Sequence, residues 1–350
     1  MNLNKFLAAG LALAGIGLAS GARAQTVVLF GGGNASQTLL YDRVTNILTG
    51  GITSVTISPT NGTVRSYVGS ISGQSGLGTV TIHFSLLGAG QGLQDVEAQN
   101  DETTATGASL PPTVAVSSAA PEVIGIDPST LTQTETLVVP YAYIKGTSAN
   151  LAGVTNLTQR QAAYLEGAAG TLPSAFFGGS STSDTVYLVP RNTASAVRLE
   201  IDANVYFTGT IAAWTTNGSG QPIPDPNGGQ SSGSAVRGVL KALPDAIGTV
   251  AAQDIGTYTP LAYEGVPFSV TNVENGSYPL WGYERWLYPN TGQQGAPSAN
   301  QLIVINHLLG AVTNANFQAT NALFVGNFAP LGGLQVQRLS DGGPITSTLY

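Results

Sequence analysis

The chain has 350 residues, enough for one large hydrophobic core or two ordinary ones. Only 9% of them are charged against 42% hydrophobic, and the net charge is −7, which excludes a nucleic-acid partner because no basic stripe exists to follow a phosphate backbone. There is no cysteine, so disulfides, thiolate metal sites and cysteine nucleophiles are excluded together.

The first 24 residues read as a secretory signal peptide. Lys5 gives a short positive region, Phe6 to Leu18 an apolar one, and Ala22-Arg23-Ala24 a small-residue cleavage site. The apolar stretch is short and broken by glycine, unlike a membrane anchor, and no later segment approaches the length of a span. The expected mature protein is therefore periplasmic or secreted, with no stable membrane insertion and no lipid-anchoring cysteine.

From Gln25 the pattern is strand, tight loop, helix. Gln25 to Phe30 is apolar, Gly31 to Ser36 is glycine-rich, and Leu39, Leu40, Val44, Ile47 and Leu48 recur at helical spacing. Val55 to Ile57 and Thr79 to Phe84 predict strands, with Tyr67 to Gly78 between them as a turn region or hairpin. A second glycine loop, Gly88 to Gly92, precedes a short helix over Leu93 to Ala98. Thr113 to Val116 predicts a strand ending at Ser117-Ser118. Thr136 to Ile144 is a long apolar run with an expected bend at Pro140, and Asn156 is the expected cap of a helix over Leu157 to Leu165.

Thr185 to Val189 predicts another strand, followed by Pro190-Arg191-Asn192-Thr193-Ala194-Ser195 and a helix marked by Val197, Ile201 and Val205. Asn192 or Thr193 is placed to cap it. Free N–H groups and the positive dipole end make such a helix start a seat for an anion, and Arg191 adds a planar charged fork. Arg198, farther along, reads as a structural partner of Glu200 or Asp202. Residues 217–233 predict a surface loop, Ser234 to Leu243 a helix stopped by Pro244, and Ala246 to Val250 a strand. The aromatic stretch Ser277 to Tyr288 reads as core and hinge packing, and Asn300 to Leu309 as helix or strand.

Other chemistries are poorly supported. Gly229-Gln230-Ser231-Ser232-Gly233 fits the serine-hydrolase elbow G-x-S-x-G, but no strand leads into it and only His83 and His307 could serve as a base. The glycines at 31–33 do not fit a dinucleotide fingerprint or a phosphate-binding loop with lysine. Asp95, Glu97, Asp101 and Glu102 read as a solvated charge run. No metal ligand set stands out, so neither catalysis nor a cofactor is expected.

The order of these loops resembles the phosphate-binding periplasmic proteins, the substrate-binding components of phosphate ABC transporters. Gly31 to Tyr41 is similar to the family's first glycine-rich turn, Gly88 to Leu93 to its second, and Val114 to Pro121 to the segment that carries an aspartate. Arg191 to Arg198 is similar to its Arg-x-x-x-Ser-Gly-Thr-Arg element, and Pro244 to Gly248 to its Pro-x-Ala-Ile-Gly element. Here Ser118 stands at the aspartate position, and Ser195-Ala196-Val197 replaces Ser-Gly-Thr.

The resemblance implies an α/β, type II periplasmic-binding-protein fold with mostly parallel sheets and two lobes joined by a hinge. Lobe one would take residues 25–140 and 265–350, and lobe two residues 141–264. It implies binding of phosphate or a related oxyanion by Asn34, Ala35, Ser36, Gly90, Ser118, Arg191, Ser195 and Ala196, with an ABC permease or sensor as partner. The other reading is a degenerate module that keeps the fold and binds another ligand or a protein.

Overall fold

The computed structural model describes residues 25–347, so the expected signal peptide lies outside the described residues. Nine strands form one sheet: β1 (Thr26–Gly32), β2 (Gly51–Ile57), β3 (Val64–Ser70), β4 (Val80–Ser85), β5 (Val114–Ser117), β6 (Leu131–Lys145), β7 (Tyr187–Val189), β8 (Ala246–Ala251) and β9 (Trp281–Pro289). Their order across the sheet is β7-β8-β6-β9-β5-β1-β4-β3-β2. The helices used below are α1 (Gln37–Ile47), α2 (Ala89–Ala98), α3 (Gln159–Ala168), α4 (Ala196–Asn204), α5 (Gly233–Ala242) and α6 (Ala299–Val312).

Two strand groups make up this sheet, and β6 belongs to both. Residues 131–140 of β6 pair with β9, and residues 141–145 pair with β8. Pro140 is thus where the strand changes partner, within one continuous strand. Proline lacks an N–H to donate, so it suits a position where one ladder stops and another begins. Leu280, which precedes β9, accepts from the Tyr141 N–H at 2.9 Å, so the chain passes this junction twice at one level.

Strand directions decide where the loops meet. β1 is parallel to β4 and β5, and β7 is parallel to β8. β9 is antiparallel to both β5 and β6, and β6 is antiparallel to β8. The C-terminal ends of β1, β4 and β5 therefore point along the sheet toward the smaller group. Those of β7 and β8 point back. Loops leaving all five strands converge at the junction, where α/β sheets place ligands.

The core holds these strands in position. Phe30 of β1, Phe84 of β4 and Trp286 of β9 are buried in mutual contact, with ring centroids 5.4 and 5.2 Å apart. Trp281 and Trp286 are fully buried, as packing residues would be. α1 buries Leu39, Leu40, Val44 and Ile47 on one face, the period read from the sequence. α6 packs on α1 and starts with a capping box between Ser298 and Gln301.

Several expectations shift. Of the turn region or hairpin expected over Tyr67 to Gly78, the structure has the hairpin: Tyr67 to Ser70 belong to β3, paired antiparallel with β4. The α3 cap is Thr158, in a reciprocal box with Gln161, rather than Asn156. Most of the second glycine loop is helical, because α2 begins at Ala89. Gly92 is on the α2 face against β1, where a Cβ would lie inside contact distance of the Gly32 backbone. The glycine there serves a close approach rather than a turn. Asp95 and Glu102 are buried, not a solvated face: the Gln91 amide donates to both Asp95 oxygens, at 2.8 and 3.0 Å.

Two glycine substitutions should therefore differ in sign. Gly92→Ala is expected to lower unfolding stability by about 1–3 kcal/mol through overpacking. Gly238→Ala, exposed in mid α5 with open space around it, is expected to raise stability by about 0.5–1 kcal/mol. Denaturant unfolding of the two variants checks this.

Candidate functional site

Arg191 follows β7 by two residues and is buried, with 2% of its surface exposed. Its Nε donates to the Gln230 carbonyl at 3.1 Å and its Nη2 to the Ser231 carbonyl at 2.9 Å. Nη2 also reaches Asn34 Oδ1 at 3.5 Å, across the junction from the loop after β1. The Arg191 carbonyl accepts from Arg198 Nη1 at 3.2 Å, and the same nitrogen donates to the Gly228 carbonyl at 2.9 Å. Arg198 Nε pairs with Asp202 at 2.9 Å one turn along α4, so Arg198 fixes the loop from behind.

The shelf under Arg191 is the end of the loop expected at residues 217–233. Gly229 has a positive φ of 137° there, and a Cβ on it would collide with the Arg191 carbonyl. Composition marked this segment as a turn, but its partners lie some forty residues away in sequence. The G-x-S-x-G match has the same explanation: the fold uses the carbonyl of Ser231, while the Ser232 side chain caps α5. His83 is buried against Ser66 Oγ at 2.7 Å in the β3–β4 pair.

No carboxylate lies within ion-pair distance of Arg191 among the described residues. Asp254 acts on both Arg191 and Arg237 and touches only Arg237, Oδ1 to Nη1 at 3.5 Å. Burial lowers the Arg191 pKa to about 10, which leaves it a cation at neutral pH. A buried charge without a paired counter-charge costs several kcal/mol. This site therefore has a positive charge in need of an anion.

Three loops from the larger strand group face it. Gly33, Asn34 and Ala35 follow β1, Gly88 and Ala89 open α2 after β4, and Ser118 follows β5. With Arg191, Ser195, Ala196 and Val197 they enclose a cavity of about 10 Å³, room for roughly one water. Ser195 is the N-cap of α4, a place given from sequence to Asn192 or Thr193. Its hydroxyl makes no cap bond. Gln253, after β8, closes one side by donating from Nε2 to the Asn34 carbonyl at 3.3 Å.

Of the eight residues expected at the site, six line this cavity: Asn34, Ala35, Ser118, Arg191, Ser195 and Ala196. Ser36 is the N-cap of α1 and is fully buried, its hydroxyl beside the Glu284 carboxyl. Gly90 N–H donates at 3.0 Å to the Ala194 carbonyl, a contact between the two sides. Gln253 was not singled out from sequence, and Gln230 and Ser231 were noted only for the G-x-S-x-G match, because each acts through its backbone or by a contact distant in the chain.

The buried acids around the site keep their protons unusually well. Burial pushes Glu284 up to about 7, Glu166 up to about 8 and Asp202 up to about 6. Glu166 accepts from the Tyr143 hydroxyl at 2.9 Å. No group of three or more side chains able to hold a metal occurs among the described residues.

No protein-family model matches the sequence, and no curated protein does so. Solved structures do match. A Clostridium perfringens protein described as a phosphate ABC transporter substrate-binding protein, with bound phosphate, aligns at TM-score 0.56 and 13% identity, over 87% of this chain and 100% of its own. The chain has the two-lobed fold of the phosphate-binding transport proteins. An ABC-type phosphate transport receptor from Vibrio cholerae aligns at TM-score 0.51 and 12% identity, over 83% and 97% of the two chains. A human phosphate-binding apolipoprotein aligns at TM-score 0.50 and 13% identity, over 87% and 91%.

The raised carboxyl pKa values set a pH dependence of stability. Each group binds its proton more tightly folded than unfolded. Its contribution is complete below the unfolded pKa and is lost as pH rises through the folded one. The thermal midpoint is thus expected to fall between about pH 5 and pH 8, and Glu166→Gln should flatten the fall. Differential scanning calorimetry across that range checks it.

Proposed function

We propose that this chain is an exported solute-binding protein that closes two lobes over phosphate or a similar small oxyanion, on behalf of an ABC importer or a sensor. The observation that carries the reading is Arg191, a buried cation with no carboxylate within ion-pair distance among the described residues, set where loops from five strands meet. The shared fold supports it. A cleaved leader at residues 1–24 would deliver the protein to the periplasm or medium. No helix among the described residues is long and apolar enough to cross a membrane.

The lobes are residues 25–140 with 265–350, and residues 141–264. They would hinge where β6 changes partner and where the chain returns at Leu280. In the closed geometry the Ala194 carbonyl and the Asn34 side chain take up donors that a ligand oxygen would use. A ligand with four oxygens exceeds the present cavity, so it enters as these contacts part. It then receives hydrogen bonds from Ser118, Ser195 and the loop N–H groups, with Arg191 supplying charge. Desolvated donors fixed in advance hold an anion more strongly than exposed ones.

Calorimetric titration with phosphate, sulfate and arsenate tests the reading. Binding of at least one anion is expected, weakened about tenfold to a hundredfold in Arg191→Ala, the worth of a charge-assisted hydrogen bond. No heat and no thermal shift with any of the three would sink it.

A further inference from the structure

Resting on that oxyanion reading, we propose that the cleft selects an anion carrying no proton, of the sulfate class, over one that must donate a proton, of the phosphate class. The lining is Gly33, Asn34, Ala35, Gly88, Ala89, Ser118, Arg191, Ser195, Ala196 and Val197, with no carboxylate among them. Arg191 and the backbone N–H groups can only donate. Asn34 Oδ1 already faces Arg191 Nη2, and the Ala194 carbonyl at the rim already accepts from Gly90. The side-chain hydroxyl acceptors in the lining are those of Ser118 and Ser195, both neutral, and Ser118 also lies against the Tyr141 hydroxyl.

Glu200, buried near Ser118 beside Gly282 with neither carboxyl oxygen hydrogen-bonded among the described residues, does not line the cavity. Asp254 acts on both Arg191 and Arg237 and touches Arg237, and Glu284 accepts from Thr136 Oγ1 at 3.3 Å inside the core. Neither lines the cavity. At neutral pH inorganic phosphate keeps at least one proton, whereas sulfate keeps none. Every oxygen of sulfate can accept, which matches a wall of donors. The phosphate O–H finds no charged acceptor, and hydrogen bonds to a charged group are about twice as strong as neutral ones. One such mismatch in a desolvated site is worth about tenfold in affinity or more.

The test is calorimetric titration of the purified chain with sulfate and with phosphate at one neutral pH and one ionic strength, repeated with Ser118→Asp. Sulfate binding about tenfold tighter than phosphate or better is the expected result. Ser118→Asp should abolish sulfate binding by charge repulsion and favour phosphate by offering an acceptor. Its thermal unfolding is recorded alongside to show that it folds. Should the variant not fold, the ranking in the unaltered chain decides alone. Equal or tighter binding of phosphate by the unaltered chain overturns the selectivity while leaving the oxyanion reading intact. Binding of neither anion overturns both.

Discussion

Burying a guanidinium is expensive, and this structure does so without a counter-ion in contact. Arg191 has its Nε and Nη2 donors on the carbonyls of Gln230 and Ser231, which orient the fork but do not neutralise it. Its own carbonyl is held by Arg198, itself fixed by Asp202. The supporting loop needs Gly229 to come this close. So much structure devoted to holding a charge in one place makes sense if the charge has a transient partner. An anion entering from solvent supplies the missing half of a buried pair, and the gain appears only on binding.

The sheet provides the setting for that partner. β6 is shared by two strand groups whose directions bring their C-terminal loops together. Polar contacts cross the junction from Gly90 to Ala194, Arg191 to Asn34 and Gln253 to Asn34, beside a small apolar cluster of Ala89, Ala119 and Ala196. Polar contacts of this sort exchange readily with ligand or water, unlike a packed apolar interface.

Much of this was legible in the sequence wherever the signal was local. The helical period of Leu39, Leu40, Val44 and Ile47 and the strand, loop and helix around Arg191 all stood as read, because each rests on residues within one or two turns. What composition could not convey was long-range. The loop at 217–233 has the glycine and proline content of a surface turn, yet Gln230 and Ser231 cradle a residue some forty positions earlier. Asp95 and Glu102 looked solvated only because their buried surroundings come from other segments. The capping expectation at α4 failed differently: the Ser195 side chain, placed to cap, makes no cap bond and lines the cavity.

The central claim is that Arg191 waits for an oxyanion, and seeing the anion tests it most directly. A crystal grown with selenate should show an anomalous selenium peak in the cleft. Selenate oxygens should lie about 3 Å from Arg191 Nη1 and from the Ser118 and Ser195 hydroxyls. Diffraction data showing an empty cleft at saturating selenate, or selenate bound only at exposed lysines and arginines, would contradict the account.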